Sequence, residues 1–120
     1  MTIAEAIAAA DAVKPNAFED SVKIRWLNEL EGRIAITLML MSPAEAAQLQ
    51  YTTADEEKEL LIDPPFDDLY PLWLQAKIDF ANGEYDKYAN TMQVYNTHYS
   101  SFACWFLQEY EPSQGYREVY

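Results

Sequence analysis

The sequence predicts an all-α fold, a small bundle of about four helices whose last helix is long and striped with aromatic residues. Three observations lead there. Apolar residues recur at alternating spacings of three and four along most of the chain, the period of one helix face. Two segments open with Thr or Ser followed three residues later by Glu, the reciprocal pair that caps a helix N-terminus. Proline or Asn-Gly stands where that period breaks.

The first helix covers residues 3–13, with Ile3, Ile7, Ala10 and Val13 on one side, Thr2 as N-cap, Glu5 as its box partner and Pro15 as terminator. The second starts near Glu19 or Asp20, where acids suit the positive end of the helix dipole. Its stripe runs Leu27, Leu30, Ile34, Leu38 and Met41, with Ile24 and Trp26 beside it. Gly32 interrupts that stripe at a cost of about 1 kcal/mol relative to Ala. Ser42-Pro43-Ala44-Glu45 combines a cap, a proline in the first turn and a box partner, so a short helical turn should run through Leu49.

Residues 50–66 lose the helical period, and Asp63-Pro64-Pro65 forbids a regular element, so a loop with a brief extended piece is expected. Asp67 or Asp68 should cap a third helix carrying Leu72, Trp73, Ala76 and Phe80, stopped by Asn82-Gly83. The fourth begins near Glu84. Tyr85, Tyr88, Met92, Tyr95, Tyr99, Phe102 and Phe106 form its stripe, which suits an antiparallel partner for the third helix. Pro112 ends it, giving one helical domain over residues 1–111 and a flexible tail over 112–120.

Composition narrows the function. The 120 residues carry 20 acids against 8 Lys and Arg, a net charge of -12, yet half are apolar and 14% aromatic, too much buriable surface for a disordered acidic tail. Such a charge repels phosphate backbones and anionic lipid, so neither sequence-independent nucleic-acid binding nor membrane binding is expected. No stretch is long and apolar enough for a membrane span, no basic n-region precedes the Ala-rich start, and the lone Cys104 excludes an internal disulfide, so a soluble, non-secreted protein is expected. The charge is uneven. Residues 55–68 hold seven acids and Lys58, a net -6, half of the total.

The inventory for catalysis is thin. His98 is the only histidine, and Ser100 and Ser101 lie too close to it along one helix for a triad. Three glycines cannot build a P-loop or a dinucleotide fingerprint. Cys104, without a basic cluster, reads as a buried small hydrophobe. Asp55-Glu56-Glu57-Lys58-Glu59 lacks the glycine and alternating ligands of a calcium loop and reads as solvated. Asp67 and Asp68 are adjacent, which suits a helix cap better than a pair of glycosidase carboxylates. No enzyme, cofactor or metal is expected. The Tyr and Phe stripe reads as core, with part of it at a subunit contact, because each tyrosine hydroxyl must reach water or a partner.

Four stretches resemble the small helical head-tail connector, or neck adaptor, family of tailed bacteriophages. They are Met1 to Ile7 with Lys14-Pro15-Asn16-Ala17-Phe18; Lys23 to Ile34; Leu60-Leu61-Ile62 with Pro65-Phe66-Asp67-Asp68-Leu69-Tyr70; and Asp79-Phe80-Ala81-Asn82-Gly83-Glu84. The resemblance spans residues 1 to about 108 and leaves the tail unmatched. It implies a virion protein, assembled from the host cytoplasm into a homo-oligomeric ring, usually of twelve, beneath the portal protein. Such a ring meets a stopper or tail-completion protein and lets DNA pass without specific binding.

On that reading the segment 50–66 and the tail order on assembly. Leu60, Leu61 and Ile62, with Tyr116, Arg117 and Tyr120 in the tail, are the candidate partner contacts, and Asp55, Glu56, Glu57 and Glu59 form a channel or loop acidic cluster. The competing expectation is an acidic DNA mimic that occupies a nucleic-acid-binding host protein. That role needs carboxylates spread along an extended face, and the concentration of charge in one segment argues against it.

Overall fold

The computed structural model describes residues 1–110. It is an all-α domain of five helices: α1 (Ile3–Val13), α2 (Asp20–Thr37), α3 (Pro43–Ala46), α4 (Leu69–Ala81) and α5 (Tyr85–Tyr110), with single 3-10 turns at Ala47–Leu49 and Thr53–Asp55. The four expected helices are all present, and the short turn expected after Ser42 is α3 with the 3-10 turn behind it. The expected flexible tail lies outside the described residues.

Local chemistry sets the boundaries. Thr2 Oγ1 accepts the Glu5 N–H at 3.1 Å while the Glu5 carboxylate accepts the Thr2 N–H at 2.7 Å, closing the box on α1. Ser42 and Glu45 do the same for α3 at 3.2 and 3.0 Å. Between α1 and α2, Asn16 makes the turn: its amide donates to Asp11 and to the Lys14 carbonyl, and its oxygen accepts the Phe18 N–H. Gly83 ends the α4–α5 connection at φ +76°, a backbone conformation that a side chain would strain.

The stripe of α2 stops earlier than its periodicity suggests. Leu38 caps the helix, and the chain turns through Leu40 at φ +57°, with the Met41 N–H bonded to the Ala35 carbonyl. Leu38 and Met41 are therefore only half-buried.

Helix α4 is the centre of the fold, packed on α1, α2 and α5. Its sequence is apolar almost all round, as a helix enclosed on several sides must be, and Leu69, Tyr70, Trp73, Leu74, Ala76 and Ile78 are buried. Against it α5 runs antiparallel. Phe66 meets Phe102, Trp73 meets Tyr95 and Phe80 meets Tyr88, at ring-centroid distances of 5.6, 5.4 and 5.2 Å. With 26 residues against 13, α5 is about 39 Å long and α4 about 20 Å, so the last turns of α5 overrun α4. Phe102 there packs on Phe66, and with Phe106 it lines a small cavity shared with the segment 61–63. The overrun explains extents of 52 × 32 × 22 Å and a radius of gyration of 15.4 Å, against about 13 Å for a rounded domain of this size.

Candidate functional site

The acidic segment is a clasp around the start of α1. The carbonyls of Lys58 and Glu56 accept the Ile3 and Ala4 N–H groups at 3.2 and 2.9 Å, and the Leu60 N–H returns to the Met1 carbonyl at 3.0 Å. These are donors that a helix N-terminus leaves without intrahelical partners. Asp55 caps the 3-10 turn through the Thr52 N–H at 2.8 Å and pairs with Lys58 at 3.3 Å. The Thr52 N–H, helped by Lys58, holds its carboxyl below the usual range. Glu59 and Asp67 face the α-amino group at 3.2 and 3.5 Å. Glu57 points to solvent, and Glu56 is half-buried. Among the described residues, no group of three or more His, Cys, Asp or Glu side chains is disposed to hold a metal.

The segment behind the clasp corrects one expectation. Leu60 and Ile62 are 3% and 1% exposed and belong to the core with Ile3, Leu30 and Leu69, so they offer a partner nothing. Leu61 is half-buried and lines a small cavity with Phe102 and Phe106. Apolar burial therefore anchors this stretch to the core of the single chain. Tyr116, Arg117 and Tyr120 lie outside the described residues.

Residues that sequence reasoning passed over hold the segment down. Glu31 is fully buried on α2, and its carboxylate accepts the Tyr70 hydroxyl at 2.5 Å, the Tyr51 hydroxyl at 3.0 Å and the Leu61 N–H at 3.0 Å. Tyr70 in turn accepts the Ile62 N–H at 2.9 Å. Asn28 pairs with the Tyr51 backbone in both directions, at 2.9 and 3.1 Å. Burial pushes the Glu31 carboxyl above its ordinary value against the pull of those donors, and burial beside Glu31 pushes both phenols up. Every partner is occupied and no surface reaches the carboxylate, so the cluster is a fastening and not a reaction centre. The signal was present: Glu31 lies four residues after Leu27 and three before Ile34, on the apolar stripe itself.

Two further buried charges follow the same logic. Lys23 reaches Asp11 at 2.9 Å, joining α1 to α2. Asp79 on α4 takes Lys14 and the Thr91 hydroxyl, beside an open cavity of about 400 Å³ between the ends of α1 and α4.

Other expectations change. Asp68 stands at the N-cap of α4 without capping it, and its carboxylate meets His98 Nδ1 at 2.6 Å, bridging α4 to α5. Asp67 serves the α-amino group. Cys104 is exposed, because the α5 stripe turns a different side of that helix to the core. Of that stripe Tyr95 and Phe102 are buried, Tyr88, Met92, Tyr99 and Phe106 are half-buried, and Tyr85 is 61% exposed.

The exposed large apolar side chains gather mainly at the two ends of the molecule. At one end Phe80 is 53% exposed, its ring against Tyr85 and Tyr88, with Val13 exposed across the 400 Å³ cavity. At the other, Leu40, Trp105 and Leu107 are exposed around the overrun of α5. Tyr85 and Trp105 are separated by about 30 Å along the helix. Among the described residues, no helix is long and apolar enough to cross a membrane. Comparison with protein-family models, curated proteins and solved structures gave no match.

Proposed function

We propose that this chain is a structural subunit of a tailed-phage neck, a head-tail connector or adaptor that forms a ring between the portal protein and the stopper or tail. The observation that carries the reading is the pair of unlike apolar regions at opposite ends of α5, one where the exposed Phe80 and Tyr85 pack ring to ring and one where the exposed Trp105 lies against Phe66. Rotational rings are built from heterologous contacts, in which two different patches of each subunit meet around an axis. Aromatic side chains are effective anchors for such contacts. The resemblance of residues 1 to about 108 to the neck family supplies the setting, a virion component drawn from the host cytoplasm whose net charge of -12 opposes the counterion-release binding that a basic channel would show toward passing DNA. The role needs no catalytic step, cofactor or metal.

Electron microscopy of purified portal rings mixed with the protein tests this. Added density with the rotational symmetry of the portal is the expected result, and its absence at saturating protein overturns the reading. The double substitution Phe80→Ser with Tyr85→Ser should leave the helical circular dichroism intact while abolishing the added ring, because both side chains are more exposed than buried.

A further inference from the structure

A chain with 20 acids leaves few bases without a carboxylate, and the exceptions are informative. Among the described residues Lys14, Lys23, Lys58, Lys77 and Lys87 each form an ion pair, whereas Arg25 and Arg33 form none. Arg33 is exposed on α2, its guanidinium 5.4 Å from the centre of the Trp73 ring. Lys77 covers the same ring at 4.9 Å but is tied to Glu29 at 3.2 Å. Trp73 is itself fixed, its indole N–H bonded to the Trp26 carbonyl at 2.8 Å.

Arg33 thus stands at the wall of a groove of about 220 Å³ between α2, α4 and α5, lined by Arg33, Trp73, Met92, Tyr95, Asn96 and Tyr99. Tyr95 supplies an independent observation. The residue is 5% exposed, its ring held by Trp73 and Tyr99 at 5.4 and 5.9 Å, yet its hydroxyl has no hydrogen-bond partner among the described residues and borders this groove. Among the described residues no buried side-chain polar atom lacks a hydrogen-bond partner, so the Tyr95 hydroxyl opens to the groove, where it stands beside an unpaired guanidinium with its donor available to an external acceptor. No carboxylate lines the groove. Its polar equipment is the guanidinium fork, two phenols and one amide, set against aromatic walls.

Those donors match a planar carboxylate, which Arg binds through two parallel hydrogen bonds. The groove is smaller than the roughly 300–1,000 Å³ of small-molecule sites and suits a single side chain. Arg, Tyr and Trp are also the residues that dominate protein interfaces. A nucleic-acid backbone is disfavoured because it would bring a continuous run of phosphates to a chain of net charge -12, whereas a single carboxylate meets only the local field of Arg33. We infer that this groove receives an Asp or Glu side chain of a partner polypeptide, with Arg33 gripping the carboxylate, Tyr95 donating to it and the apolar stem lying on Trp73 and Tyr99. The inference stands apart from the neck reading and survives its failure.

The test is a titration of the isotope-labelled full chain, following the Arg33 Nε–H and Trp73 indole N–H resonances. The probes are the capped dipeptide acetyl-Glu-Phe-amide, its neutral twin acetyl-Gln-Phe-amide and inorganic phosphate. The Glu probe should give saturable shifts, with affinity at least about tenfold above the Gln probe, the worth of one charge-assisted contact. Arg33→Gln should abolish the response, Arg33→Lys should weaken it about tenfold by removing the fork, and Tyr95→Phe should weaken it several-fold. Circular dichroism of each variant checks the fold. The inference is overturned by an absent or unsaturable response, by equal response to the two dipeptides, by binding retained in Arg33→Gln, or by phosphate binding as tightly as the Glu probe. Sedimentation showing self-association lost in Arg33→Gln would likewise overturn it, assigning the groove to a second copy.

Discussion

Tyr70→Phe removes one oxygen and leaves two buried groups short of a partner. The hydroxyl donates to Glu31 at 2.5 Å and accepts the Ile62 N–H at 2.9 Å, at a residue with no exposed surface. An orphaned buried N–H costs about 1–3 kcal/mol, and a lost hydrogen bond to a charged group about 1.5–3 kcal/mol. Together they predict a loss of about 3–5 kcal/mol, a large part of the roughly 5–15 kcal/mol that holds a domain together. The thermal midpoint should fall by about 10–25 °C. The cost should also depend on pH. Burial raises the Glu31 carboxyl above its ordinary 4.5, so its contribution to stability is fully present below that value and is lost as pH rises through the folded value. Removing a donor that favours the ionised form raises the folded value further and deepens that loss, so Tyr70→Phe should cost more at pH 7 than at pH 4. Urea unfolding followed by tryptophan fluorescence, with Glu31→Gln as the second edge of a double-mutant cycle, measures both effects. A cost below about 1 kcal/mol, equal costs at the two pH values, or strict additivity with Glu31→Gln would refute the reasoning.

The two described glycines should respond with opposite signs. Gly83→Ala strains a φ of +76° and should destabilise by about 1 kcal/mol, whereas Gly32→Ala, with nothing within 4 Å of the added carbon, should stabilise by a similar amount in the same urea assay. Ile62→Ala should cost about 2–5 kcal/mol in the isolated chain, and a cost near zero would return residues 60–62 to the surface. Thr2→Ala opens the α1 box and should cost about 1 kcal/mol, with the earliest hydrogen-exchange gain at Glu5, whose N–H loses its acceptor.

The sequence by itself determined the helices, because capping, periodicity and termination act within about four residues. Thr2 with Glu5, Ser42 with Glu45 and Asn82-Gly83 carry their geometry locally, and the stripe from Tyr88 to Phe106 declares the face that α4 covers. Tertiary structure decided what the irregular segment does. Residues 50–66 read as a charged loop with a loose apolar run, yet Leu60 and Ile62 are core, and the Leu61 and Ile62 N–H groups are held by Glu31 and Tyr70 from two different helices. The Leu61–Glu31 and Tyr70–Glu31 bonds join residues thirty and thirty-nine positions apart, and no local period reports them. The same holds for charge. Composition gave -12 and its concentration in residues 55–68, but only the packed chain places that segment against the N-terminus of α1, where free N–H groups meet its carbonyls, and leaves Arg33 as an exposed base without an ion pair among the described residues.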